Sequence, residues 1–485
     1  MKRRVMMTQS ALALGAAAFG GALLPFSRLH AEVGPVMATL STYMAAAKDR
    51  PLPAAALAEA IHHLLDTLAA MISGAELPPG QVALRYGRTL GGPPTATLAA
   101  SNVKTAPIDA ALINGILAHS DETDDSHNES QSHPGAAVVP AALAIAEALG
   151  NISGAHFLRA IALGYDVGPR VTMALGGVDF RNETRRSTHS IAGTFGAAAA
   201  AGCIAALNAE QMRWLLDYAS QQSSGFAVWE RDVDHIEKGF VFGGGPARNG
   251  VTSAMLVKNG FNGVDDVFSG TDNYFQVNAP AGAPEKLADG LGTRYEVAHT
   301  DIKKWTVGSP IQAPLDAIVS LRAKRPFTAD AVRKVVVRLA PTVGRVVDNR
   351  DIPDISLQHM MAVMLLDGTA SFHAAHDKAR MSDARVRRER AKVEYVPDPA
   401  LAAALPVRVA VVEVTLADGT VMSERVEAVR GTVRNPMTRA EIVDKARDLI
   451  APVLGGAQTQ RLIDEVLNLD NARDISTMAA LLGRR

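Results

Sequence analysis

Between residues 119 and 135 the chain reads His119-Ser120-Asp121-Glu122-Thr123-Asp124-Asp125-Ser126-His127, then His133-Pro134-Gly135. Carboxylates packed this closely in sequence repel one another. Such a run serves a cation, a coupled proton transfer, or simply a solvated loop. Composition alone favours the loop. The flanks argue otherwise, because residues 111–118 and 136–149 are apolar helical stretches, so the run enters the core region. A calcium loop fails: counted from Asp121, the positions that need Gly and Glu hold Ser126 and Ser132. A metal site at His119, Asp125, His127 and His133 lacks a strict two-His-one-carboxylate spacing, and no metal is expected.

Three basic clusters could complement these acids. The first is Arg185-Arg186-Ser187-Thr188-His189, ahead of an Ala-rich helix whose start could bind an anion. Ser187 or Ser190 serves there by default as an N-cap. The second runs from Lys238 to Gly250 through Gly243-Gly244-Gly245 and Arg248. It lacks the Walker pattern, so close helix approach or a tight turn explains its glycines better. The third is Lys303-Lys304-Trp305. Each cation alone reads as surface charge. Together they could clamp two or three carboxylates.

The elements that must hold these residues fall into two kinds. From about residue 36 to 298 the pattern is helical, with helices expected over 54–72, 136–149, 156–165, 193–207 and 209–220. Near Thr300 it changes. Strands are expected over 332–339, 391–396, 408–416 and 421–429, the last two joined by an Ala417-Asp418-Gly419 hairpin. Helices at 313–323 and 356–366 lie between them. After Pro436 the pattern is helical again, with Thr438 capping 439–454 and a further helix over 458–469. The expected fold is mainly α: a large all-helical domain from residues 36–298 and 432–485, with a smaller α+β lid inserted at 299–431. Such a junction favours a pocket.

The 485 residues carry 49 basic and 50 acidic side chains, so no global field recruits nucleic acid. The one cysteine, Cys203, excludes an intramolecular disulfide, a thiolate-ligated iron–sulfur cluster and a Cys-rich zinc site. Lys2-Arg3-Arg4, an apolar run over 11–24 and Leu29-His30-Ala31 have the order of a signal peptide over 1–31, of twin-arginine type. Export to the periplasm is therefore expected, with no stable membrane insertion after cleavage.

Several stretches resemble the MmgE/PrpD family: Ala111-Leu112-Ile113-Asn114-Gly115 through His119, Asp124-Asp125-Ser126, and His133-Pro134-Gly135 through Ala141. Further on come Gly164-Tyr165-Asp166-Val167, Gly193-Thr194-Phe195-Gly196-Ala197-Ala198, Lys238, and Met364-Leu365-Leu366-Asp367-Gly368. The resemblance spans about residues 36–480. The family includes 2-methylcitrate dehydratase, cis-aconitate decarboxylase and an iminodisuccinate epimerase. The resemblance implies the helical domain and lid, a homodimer, and an active site between domain and lid. Glu122 (or Asp121), Ser126, His133, Lys238 and Lys303 fall where the family has pocket residues. The sequence departs from the pattern at Ser187 and Gln312, where His is common, and at His359, where the decarboxylase has Tyr. One extra residue also lies between Asp125 and His133. These departures are expected to line the pocket.

The implied activity is a cofactor-independent lyase on a small di- or tricarboxylate, by dehydration or decarboxylation. An epimerase, or a periplasmic polycarboxylate-binding protein without turnover, are the alternatives. His133 is the first candidate acid or base because its ordinary pKa is near neutrality, and His189 is the second. Asp125 would orient a His or share its proton. Lys238, Arg248, Lys303 and Arg186 would hold carboxylates, beside Glu122 and Ser126.

Overall fold

The computed structural model describes residues 33–484; the signal-peptide reading of residues 1–31 lies outside them. The helix Thr188–Ile204 is buried at every residue. Its sequence explains this, since Gly193, Gly196 and a run of alanines leave no side chain that must reach water. A Cβ on Gly168 would lie 2.3 Å from the Ala192 carbonyl oxygen, and one on Gly164 would lie 2.8 Å from that of Gly196. Glycine on Gly154–Leu175 thus lets that helix press against its neighbour at backbone distance. Pro134–Leu149 and Gly245–Lys258 pack on the same small-residue surface.

Element ends follow local chemistry. Ser153 accepts from His156 N at 3.3 Å and starts Gly154–Leu175. Asn208 and Gln211 form a capping box for Ala209–Gln222. Thr438 and Glu441 do the same for Arg439–Leu454. The expected 193–207 helix instead begins at Thr188, because the Ser187 side chain caps Ser190 N. Gly150 stops Pro134–Leu149 with φ +67.

Four strands form one sheet in the order Val393–Pro397, Val332–Leu339, Ala410–Leu416, Val421–Val426. The first pair is parallel and the others antiparallel. Gly419, at φ +86, turns the hairpin. Ser309–Lys324 and Leu357–Asp367 share an apolar cluster with this sheet; that cluster draws on residues 305–429. A larger cluster joins the N-terminal helices to Arg439–Leu454 and Gly456–Leu467.

The C-terminal return is also pinned by charge. Lys445 pairs with Asp66 at 2.6 Å and donates to the Thr123 carbonyl at 2.9 Å. Asp66 lies on Ala54–Gly74, which is long and apolar enough to cross a membrane by composition. Here it is a core helix, with His63, Asp66 and Thr67 buried against polar partners or beside the loop that follows.

Candidate active site

The acidic loop joins Pro107–Ala118 to Pro134–Leu149, and His133 is the N-cap residue of the second helix. All nine residues from His119 to His127 are buried, which excludes the solvated-loop reading. Burial is tolerable because each carboxylate has its own partners. Asp121 meets His376 Nε2 at 2.9 Å and accepts from the Thr123 backbone and hydroxyl. Glu122 accepts from Lys238 Nζ and lies 3.9 Å from Lys303 Nζ. Asp124 is 2.8 Å from His119 Nδ1, 3.2 Å from His133 Nδ1 and 3.5 Å from Lys303 Nζ. Asp125 is 2.7 Å from His63 Nδ1 and accepts from Tyr165 and from Gly135 N.

Asp125 does orient a His, but that His is His63 in the helical core, so its expected place in the catalytic pocket is corrected. Asp125 points away from the pocket and fastens three elements of the helical core. Its neighbour Asp124 takes the place beside His133. Burial pushes Asp124 and Glu122 up, but the surrounding positive groups hold both well below the ordinary carboxylate range. Burial presses His133 below its ordinary value, and Lys303 and His119 oppose its protonation while Asp124 favours it. His119 contributes most to holding Asp124 down, followed by His133 and Lys303.

A cavity of about 210 Å³ opens over this loop. Glu122, Ser126, His133, His189 and Lys238 line it. His235, Arg181 and Trp229 line it too. Gly308, Ser309, Arg350 and Arg408 close it from the sheet side. A second cavity, of about 260 Å³, adjoins it; Ser126, His127, Asn128, Ser309 and Arg408 line both, and Lys303 lines the second.

Phe242 organises the imidazoles. Its ring stacks on His189 at 3.7 Å and on His119 at 4.5 Å, and meets Trp229 edge-on at 4.7 Å. It sits in the π turn Phe240–Gly244. A Cβ on Gly243 would fall 2.0 Å from the Gly115 carbonyl oxygen, so the triple glycine exists for helix approach. His189 is pushed well below its ordinary value by burial and by His133. Burial and Lys238 bring His235 down to about 3. His235 occupies a left-handed turn at φ +67, a position that periodicity cannot reveal.

Other expectations are corrected by position. Arg248 lies on Gly245–Lys258, contacts Asn249 at 3.2 Å and faces the Phe240 ring; it lines neither cavity. Arg186 donates to Asn278 and lines neither. Of the departures, Ser187 is a buried helix cap and His359 a buried side chain away from both cavities. Gln312 lines only the second, with its amide committed to Trp305 and Val307.

His119, Asp124 and His133, and separately His119, Glu122 and His235, place ligand-type atoms within 4.8 Å. Either set has the geometry to hold a metal ion. Lys303 and Lys238 already supply the positive charge at both carboxylates, so the network is internally neutralised.

The Asp121–His376 pair gives a stability prediction. Burial lowers His376, but its hydrogen bond and charge contact with Asp121 win and hold it up at about 9. A raised folded-state pKa adds stability that is complete below the ordinary 6.5 and is lost as pH rises through about 9. Buried Asp354, pushed up to about 7, acts with the same sign at lower pH. Urea unfolding should show the wild type losing roughly 3 kcal/mol more than His376→Gln between about pH 6 and pH 10. Equal losses would refute the pair's role.

The model of the MmgE/PrpD N-terminal domain matches residues 38–286, and that of the C-terminal domain residues 305–471. A cis-aconitate decarboxylase-like protein, oryM, of Aspergillus oryzae is 26% identical, covering 93% of this chain and 97% of the relative. The cis-aconitate decarboxylase of Aspergillus terreus is 26% identical over 89% of this chain and 92% of its own. That of Homo sapiens is 26% identical over 86% and 88%. The expectation of a periplasmic protein is corrected here, because the relatives are named cis-aconitate decarboxylases and none is named as an exported protein.

Proposed function

The chain belongs to the MmgE/PrpD family, and from that premise we propose that it is a lyase of a small tricarboxylate with its proton step at His133. One observation carries the reading. His133, Asp124 and Lys303 form a buried acid–base contact beside a cavity ringed by Lys238, Arg181, Arg350 and Arg408. A polyanion fits such a ring, and a proton carrier beside it fits an elimination or decarboxylation.

The names of the relatives favour decarboxylation. In an aconitate-type acid the bond to one carboxylate breaks and carbon dioxide leaves. The electron pair moves through the adjacent double bond, and one proton adds at carbon. His133 in its protonated form gives that proton and regains it from solvent. Lys238 and Lys303 stabilise the negative charge that develops on the remaining carboxylate. Residues 299–431 serve as the cover, and the chain works as a homodimer.

A second reading, dehydration, is favoured by one observation: His133 is held below its ordinary value and is therefore in the form of a base near neutrality. There it would take a proton from carbon while hydroxide leaves as water. Two measurements separate the readings. Product mass after incubation with cis-aconitate or 2-methylcitrate shows loss of carbon dioxide or of water. For decarboxylation, kcat/KM is expected to fall as pH rises through a value below 6.5; for dehydration it rises over the same interval. Unchanged acids, or isomers of the same mass, would refute the lyase reading.

A further inference from the structure

Arg408 stands where the chain enters the strand Ala410–Leu416. It lines both cavities, so it forms part of the wall between them. Its hydrogen bond among the described residues goes from Nη1 to Asn128 Oδ1 at 3.3 Å, and Asn128 is itself held by Asp301 at 2.5 Å. Among the described residues no carboxylate lies within 4.0 Å of its guanidinium. Arg350, which lines the first cavity, likewise has no carboxylate within 4.0 Å among the described residues, whereas the remaining cations of the region are paired. Lys238 is on Glu122, Lys303 on Glu122 and Asp124, Lys445 on Asp66, and Arg181 beside Glu230.

The environment works against this cation. Burial lowers the Arg408 pKa first and Arg181 lowers it further, with Glu122 and Asp301 offsetting part of this from beyond contact distance. A guanidinium stays charged even so, and a half-buried one with no carboxylate in direct contact gains from a bound anion. Arginine presents a planar fork that a carboxylate fills with two parallel hydrogen bonds. The fork lies on the sheet side of the cavity, whereas His133 and Lys238 belong to the helical side. A substrate that reaches both must carry a carboxylate beyond the reacting carbons.

We propose that Arg408 is the specificity-determining residue that binds the substrate carboxylate remote from His133, so that the cavity selects tricarboxylates over dicarboxylates. This deepens the lyase reading and rests on it. Propane-1,2,3-tricarboxylate is a saturated, unreactive probe, and 2-methylsuccinate is the same skeleton without one terminal carboxylate. Titration calorimetry of the full chain should show Arg408→Met weakening the tricarboxylate roughly 10- to 100-fold. 2-Methylsuccinate should change less than about twofold, because it lacks the terminal carboxylate that would fill the fork in either protein. Arg408→Lys keeps the charge and loses the fork. It should raise KM for the turned-over tricarboxylate with kcat retained, and it decides the matter if Arg408→Met does not fold.

Unchanged tricarboxylate affinity in Arg408→Met, equal weakening of both probes, or an unchanged KM in Arg408→Lys would overturn the proposal. If the wild type turns over a tricarboxylate under any of those outcomes, the lyase reading survives and only this inference falls. If the wild type neither binds nor converts a tricarboxylate, both fall.

Discussion

Replacing His133 by Asn is expected to lower kcat roughly 10²- to 10⁴-fold, the range for removing a positioned acid or base. Asn keeps a polar side chain of similar reach at the start of Pro134–Leu149, so the helix entry is preserved. The fold does not depend on the imidazole, since Asp124 retains His119 at 2.8 Å and Lys303 at 3.5 Å. The loss should therefore appear in kcat, with KM altered little. Thermal unfolding of the variant should match the wild type within about 1 kcal/mol. His189→Asn makes the internal comparison. His189 stacks on Phe242 and has no carboxylate partner among the described residues. As the second candidate it should cost less activity than His133. An order reversed between the two would move the proton step to His189.

Replacing Lys303 by Met is expected to harm stability and turnover together. Lys303 is 4% exposed, donates to the Glu122 carbonyl at 2.9 Å, and lies near the Glu122 and Asp124 carboxylates. Met fills similar volume but leaves two buried carboxylates with one cation fewer. Breaking a buried pair in this way costs about 3–5 kcal/mol. Asp124 would then rise toward protonation and lose its hold on His133. Denaturant unfolding and steady-state kinetics on one preparation check both parts. Lys303→Arg should recover most of the stability by restoring the charge, with activity depending on the fit of the larger head group. A Met variant as stable and active as the wild type would remove Lys303 from the site.

The sequence made the elements legible where local signals are strong. Val332–Leu339 and Arg439–Leu454 appear with the boundaries that alternation and the Thr438 cap imply. The acidic loop was recognisable as a candidate, but its internal division was not. Asp124 and Asp125 are adjacent, yet one faces His133 and Lys303 and the other faces His63 and Tyr165. Which way each turns depends on long-range partners that no local pattern encodes. Arg248 drew attention because glycines precede it, yet its helix carries it to a face away from the cavity. Arg408 gave the opposite case. It read as the first residue of a strand, whereas the strand begins at Ala410 and leaves Arg408 free to line the cavity. His235 and Arg350 were missed for the same reason, since each lies in irregular backbone brought to the site by tertiary packing.

The most direct test of the central claim is incubation with cis-aconitate in D₂O, followed by mass spectrometry of the product and assay of released carbon dioxide. The wild type is expected to release carbon dioxide and yield a decarboxylated acid with one deuterium on carbon, and His133→Asn to yield neither at a comparable rate. Recovery of the acid unchanged, or full activity in His133→Asn, would contradict a tricarboxylate decarboxylase whose proton passes through His133.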